Sequence, residues 1–131
     1  MDHFSASTYK YSAGTVAVGT NTIFFAKAPA DASGGAVTIT EAYAVSDTAL
    51  GAGSAWNLEL VTASSGAVSA INGTIGLVSA GSAWSAGTAR TITISDGFVD
   101  GGEYIGAKFI GTALSVGGGN VTVFINGVMG R

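Results

Sequence analysis

Among the 131 residues there is no cysteine, one proline and one histidine. Without cysteine there are no disulfides, no thiolate zinc ligands and no thiol nucleophile. The single imidazole is His3, so a multi-histidine metal centre is excluded by count and a histidine-activated serine within the domain has no base. No serine sits in a G-x-S-x-G elbow. Spacing alone leaves carboxylate acid/base pairs open. These absences favour a non-enzymatic protein.

Charge is also scarce. Five Lys and Arg and eight Asp and Glu make up 10% of the chain, against roughly a quarter in an ordinary globular domain. The basic residues Lys10, Lys27, Arg90, Lys108 and Arg131 are scattered. No basic stripe tracks phosphates, which argues against nucleic acid as a partner. Met1-Asp2-His3-Phe4 lacks the basic and apolar regions of a signal peptide. No apolar run reaches the length of a membrane span, so a soluble chain without membrane contact is expected. A small domain normally covers its surface with charge. Here Ser, Thr, Gly and Ala cover it, or part of it is buried against other subunits. The second reading is preferred, because low charge also removes the repulsion that keeps monomers apart.

What is present is glycine, 21 residues of it, punctuating runs of period two. Seven runs stand out: 15–27, 36–45, 56–61, 68–78, 90–94, 104–110 and 120–125. Trp56, Leu58 and Leu60 fall on one face of the third; Ile105, Ala107 and Phe109 share a face of the sixth; Val121, Val123 and Ile125 share a face of the last. Asn72-Gly73 divides the fourth run and predicts a hairpin turn there. The expected count is about eight strands. The expected fold is all-β, a two-sheet antiparallel β-sandwich with jelly-roll topology preferred and a closed up-and-down barrel as the alternative. Residues 1–14 read as an N-terminal arm or edge strand, and 15–131 as one sandwich domain. Gly53-Ser-Ala-Trp56 recurs as Gly81-Ser-Ala-Trp84, a local near-repeat with diverging flanks.

Several residues are singled out as candidates. Asp96, Asp100 and Glu103 are interleaved with glycines and offer oxygen ligands for Ca²⁺, although a turn between strands accounts for the same composition; no cofactor is expected. Glu41 shares its parity with Val37, Ile39, Tyr43 and Val45. A β-bulge between Ile39 and Tyr43 turns it outward, or a cation such as Arg90 or Lys108 meets it. Phe124 lies opposite Val121, Val123 and Ile125 in parity and is a contact candidate. Phe24 and Phe25 must face opposite ways. Trp56 reads as core, while Trp84, in a Gly/Ser-rich loop, is freer: packing within the domain or a subunit contact is preferred over stacking on a sugar. The arm contributes Phe4, Tyr9 and Tyr11, suited to strand addition on a neighbour. Asn72-Gly-Thr74 and Asn120-Val-Thr122 match a glycosylation pattern that carries little weight without a secretory signal.

Ala-Val-Thr-Ile-Thr-Glu-Ala-Tyr-Ala-Val, Trp-Asn-Leu-Glu-Leu-Val, Ala-Gly-Thr-Ala-Arg-Thr-Ile-Thr-Ile-Ser, Asp-Gly-Gly-Glu-Tyr-Ile and Val-Thr-Val-Phe-Ile-Asn-Gly follow one another along the chain. Together they resemble small β-sandwich virion proteins of tailed bacteriophages, namely capsid decoration (cement), head-fibre or tail-associated proteins. The resemblance covers most of the chain and is one of style, without a diagnostic motif. It implies a virion protein made in the host cytoplasm, a homo-oligomer such as a trimer, bound to a major capsid or other virion protein. It supplies no catalytic residues. The other expectation is a carbohydrate- or receptor-binding module.

Overall fold

The computed structural model describes residues 3–7, 19–29, 36–51, 55–64, 71–78, 83–113 and 121–129. Ten strands follow in chain order: β1 (His3–Ser7), β2 (Gly19–Lys27), β3 (Val37–Ser46), β4 (Ala55–Ala63), β5 (Ile71–Val78), β6 (Ala89–Thr91), β7 (Thr93–Ile94), β8 (Phe98–Val99), β9 (Tyr104–Ala113) and β10 (Val121–Met129). No helix among the described residues is long and apolar enough to cross a membrane.

The strands divide between two antiparallel sheets, so the arrangement is a β-sandwich and not a single closed barrel. The first sheet runs β1-β10-β3, with β6 and β8 both along the far edge of β3. The second runs β2-β9-β4-β5-β7. The pairings nest: β1 with β10, β2 with β9, β3 with β8, β4 with β5. Residues 89–94, a single run in sequence, change sheets midway. Arg90 pairs with Ala44 in the first sheet, Thr93 with Leu77 in the second, and between them Ile92 donates its N–H to the Ala42 carbonyl at 2.9 Å. Ile92 itself is buried, so its side chain fills the sandwich where the strand crosses.

Alternation decides what fills the core. Trp56, Leu58 and Leu60 from β4 meet Ile105, Ala107 and Phe109 from β9, and Val121, Val123 and Ile125 from β10 close over them. All are essentially inaccessible to water, and their burial, at roughly 25 cal/mol per Å² of apolar surface, is the main driving force for folding. Phe25 packs against this core, while Phe24 lies over Gly106 on the outer side. The pairing of β2 with β9 shifts register between Phe24 and Ala26.

The misfit at Glu41 is resolved by a bulge. Asn126 pairs with Glu41 but Gly127 pairs with Ile39, which leaves Thr40 extra. Before the bulge Val37 and Ile39 are buried; after it Ala42, Ala44 and Ser46 are. Glu41, Tyr43 and Val45 therefore share the outer face, and the expectation that Tyr43 and Val45 point with Ile39 is corrected. Gly127 permits this geometry, since a Cβ there would fall on the Thr38 carbonyl oxygen.

The Asn72-Gly73 hairpin is also corrected. Both residues lie inside the continuous strand β5. Thr62 pairs with Gly73 and Ala63 with Ile71, so Asn72 is the extra residue at one of the two register shifts along this pair. A bulge and a two-residue turn draw on the same backbone tolerance, and here the long pairing with β4 prevails.

Candidate interaction face

The outer face of the first sheet is built by cross-strand registers. One row runs Ser7, Phe124, Tyr43, Thr91 from β1 through β10 and β3 to β6. The next runs Ser5, Asn126, Glu41. Beyond it lie Val128, Thr38 and Phe98. Phe124 and Tyr43 are directly opposite one another and their rings stack, with centroids 5.0 Å apart and planes at 17°. Such cross-strand aromatic pairs stabilise a sheet by about 0.5–1.5 kcal/mol beyond area burial. Both remain only half-buried, so the pair forms a ridge on the surface.

Polar groups flank the ridge. The Asn126 side-chain amide donates to Glu41 Oε1 at 2.8 Å, and Thr40 Oγ1 donates to the Asn126 carbonyl at 3.3 Å. Between β1 and the ridge a shallow depression of about 300 Å³ is lined by Ser5, Ala6 and Ser7 together with Tyr43, Phe124, Ile125 and Asn126. Among the described strand residues of this face, Glu41 alone carries a formal charge at neutral pH, with His3 at the rim. Phe124 therefore takes the outward position expected from parity. Tyr43, its stacking partner, was not legible as outward; the one signal in the sequence was the misfit of Glu41 two residues before it.

The other sequence candidates are placed differently. Phe4 is half-buried and packs against the core from β1. Tyr9 and Tyr11 lie outside the described residues. Trp84 requires a correction: it is not free in its loop but only 1% exposed. Its backbone exchanges hydrogen bonds with Leu50 at 2.9 and 2.8 Å, and its Nε1–H donates to the Thr88 carbonyl at 2.8 Å. Its ring stacks on Trp56 at 4.8 Å, and Trp56 on Phe109 at 6.1 Å. The two tryptophans of the near-repeat thus pack on each other. Arg90 stands 5.4 Å from the Trp56 ring and donates to the Ala83 carbonyl at 3.4 Å, an arrangement that holds the indole stack from its polar side.

Asp96, Asp100 and Glu103 form turns. Asp96 Oδ1 accepts from the Phe98 N–H at 3.3 Å, and Glu103 Oε1 accepts from the Asp100 N–H at 3.0 Å. The Glu103 N–H closes the turn on the Asp100 carbonyl at 3.1 Å, with Gly102 at φ 88°, as a type II turn requires. Ala28 clamps the turn through the Glu103 carbonyl and the Gly102 N–H, both at 2.9 Å. The three carboxylates do not converge; no group of three or more potential ligands forms among the described residues. The turn between strands, weighed in the sequence against a Ca²⁺ site, is the arrangement observed.

The outer face of the second sheet differs in kind. It carries Lys27, Glu59 and Lys108, with Glu59 opposite Lys108 and accepting from Thr74 Oγ1 at 3.2 Å. Lys27 Nζ stands 5.2 Å from the Tyr104 ring. Leu77 is 41% exposed there. Compared with protein-family models, with curated proteins and with solved structures, the chain shows no match.

Proposed function

We propose that the chain is a non-enzymatic structural subunit of a virion, of the capsid-decoration or head/tail-associated kind, which self-associates and binds a protein lattice formed by a major capsid or other virion protein. The observation that carries this reading is the first sheet's outer face: a half-exposed aromatic ridge, Tyr43 and Phe124, on a surface where the one formal charge among the described strand residues, Glu41, already has its hydrogen bond from Asn126. Such a face is cheap to desolvate and gains by being covered. The nested strand pairing supports a jelly-roll reading of the sandwich. Sedimentation across a range of concentrations tests the proposal. Reversible or stable oligomers are expected, and electron microscopy of particles labelled for this chain is expected to place it on the virion. A strict monomer at high concentration, with no particle labelling, overturns it.

Carbohydrate binding is the second reading, and the same ridge favours it. An aromatic pair beside the Asn126 amide and the Ser5 hydroxyl offers stacking and hydrogen bonds together. The site for that reading moves from Trp84, whose indole is buried, to Phe124. Glycan-array binding abolished by Phe124→Ala supports it; an array without binding removes it.

A further inference from the structure

We propose that Asn126 is a latent deamidation site and that the Glu41 carboxylate guards it, keeping the first sheet chemically intact. The proposal stands on the bonding of these residues and is independent of the function proposed above.

Asn-Gly is the dipeptide most open to this reaction, because glycine has no Cβ to shield its backbone nitrogen. The chain contains it twice, at Asn72-Gly73 and Asn126-Gly127. At the second, the Gly127 nitrogen would attack Asn126 Cγ. The new C–N bond closes a cyclic succinimide. The bond from Cγ to Nδ2 breaks, and Nδ2 leaves as ammonia with the proton that Gly127 gives up. Water then adds to one of the imide carbonyls and opens the ring. One opening leaves aspartate; the other leaves isoaspartate, whose backbone runs through the former side chain. The sum is asparagine plus water giving a carboxylic acid plus ammonia, so no oxidant or reductant is needed.

The structure opposes the first step. Attack needs Cγ to swing back over the Gly127 nitrogen, whereas the amide is tied across the strands. Nδ2 donates to Glu41 Oε1 at 2.8 Å, and Glu41 is the residue opposite in register. Donation to an anion also feeds electron density into the amide, which makes Cγ a poorer electrophile. The backbone is held as well: Thr40 Oγ1 donates to the Asn126 carbonyl at 3.3 Å, and Gly127 pairs with Phe4 of β1 and Ile39 of β3. Yet the pairing with β3 shifts register at this very dipeptide, and a bulge interrupts the ladder locally. The side-chain tie to Glu41 therefore acts where the ladder is weakest.

The products show what the guard protects. An aspartate at 126 would set a second carboxylate within hydrogen-bond reach of Glu41, a repulsion in place of a bond. An isoaspartate would lengthen the backbone of β10 between its two partner strands, β1 and β3. Either product loosens the sheet at its bulge.

The test follows the full chain during storage at mildly alkaline pH, where the backbone nitrogen loses its proton more readily. Peptide mapping by mass spectrometry, with aspartate and isoaspartate resolved, reads each site. Glu41→Ala is expected to speed the loss of Asn126 about three- to tenfold, the rate equivalent of one hydrogen bond. Glu41→Gln keeps a neutral acceptor, and its rate is expected to fall between. Asn72 in the same samples is the internal reference and is expected to keep its rate. Near-ultraviolet circular dichroism of the Trp56–Trp84 stack verifies that the variants are folded. In the unsubstituted chain, Asn126 is expected to outlast the same residue in urea; equal rates folded and unfolded overturn the proposal without recourse to a variant. Loss of Asn126 no faster in Glu41→Ala than in the unsubstituted chain also overturns it. So does equal acceleration of Asn72 and Asn126, which would mark a general loosening of the fold.

Discussion

Gly127 and Trp84 are two positions where one side chain, absent or present, sets the conformation of its surroundings. At Gly127 the Thr38 carbonyl occupies the place of a Cβ, and the bulge beside it turns Glu41 outward. Gly127→Ala must push two strands apart, an overpacking expected to cost at least about 2 kcal/mol in urea unfolding. Trp84 is held by stacking, by a side-chain hydrogen bond and by a two-way backbone bridge. Trp84→Ala opens a cavity the size of an indole and is expected to destabilise by about 3–5 kcal/mol. Phe124→Ala removes a half-exposed ring supported mainly by Tyr43, and its cost in the same experiment is about 1 kcal/mol. A large loss at Phe124 would mean that the ridge serves the fold before it serves any partner.

At the scale of the element, the turn at 100–103 and the bulge in β3 show what can be read in advance. Gly102 adopts φ 88°, so Gly102→Ala is expected to cost about 1–2 kcal/mol for left-handed backbone alone. The Asp96 and Glu103 carboxylates beside it are engaged with backbone N–H groups. Thermal unfolding is accordingly expected at the same temperature with millimolar calcium or with chelator; a rise with calcium would indicate binding to the native state. Local alternation revealed the inward residues of β4, β9 and β10, because period two holds wherever a strand runs straight. It also revealed the misfit at Glu41, with a bulge between Ile39 and Tyr43 as one of two resolutions and a cation partner as the other. It did not reveal which of two bulge-tolerant devices Asn72-Gly73 would become, as that depends on pairing with β4. Nor did it place Trp84, whose burial depends on Leu50, Trp56 and Thr88, contacts that no periodicity encodes. The two-residue strands β7 and β8 are specified by their neighbours in β5 and β3, not by patterns of their own.

For the whole molecule the decisive asymmetry is between its two outer faces. With thirteen formally charged side chains in the chain, their distribution matters more than their sum. The second sheet displays Lys27, Glu59 and Lys108, and the first displays Glu41 under its amide. Association through the second face would draw on ion pairs and weaken as screening shortens from about 10 Å at 0.1 M salt to about 3 Å at 1 M. Association through the first face draws on apolar burial and shape, which sodium chloride barely touches and which excluded anions such as sulfate strengthen. The self-association constant is therefore expected to vary less than about threefold between 0.1 and 1 M sodium chloride, and to rise in sulfate of equal ionic strength. Sedimentation in the two salts checks both. A steep fall in sodium chloride would move the contact to the lysine-bearing sheet and leave the Tyr43–Phe124 ridge for a different partner.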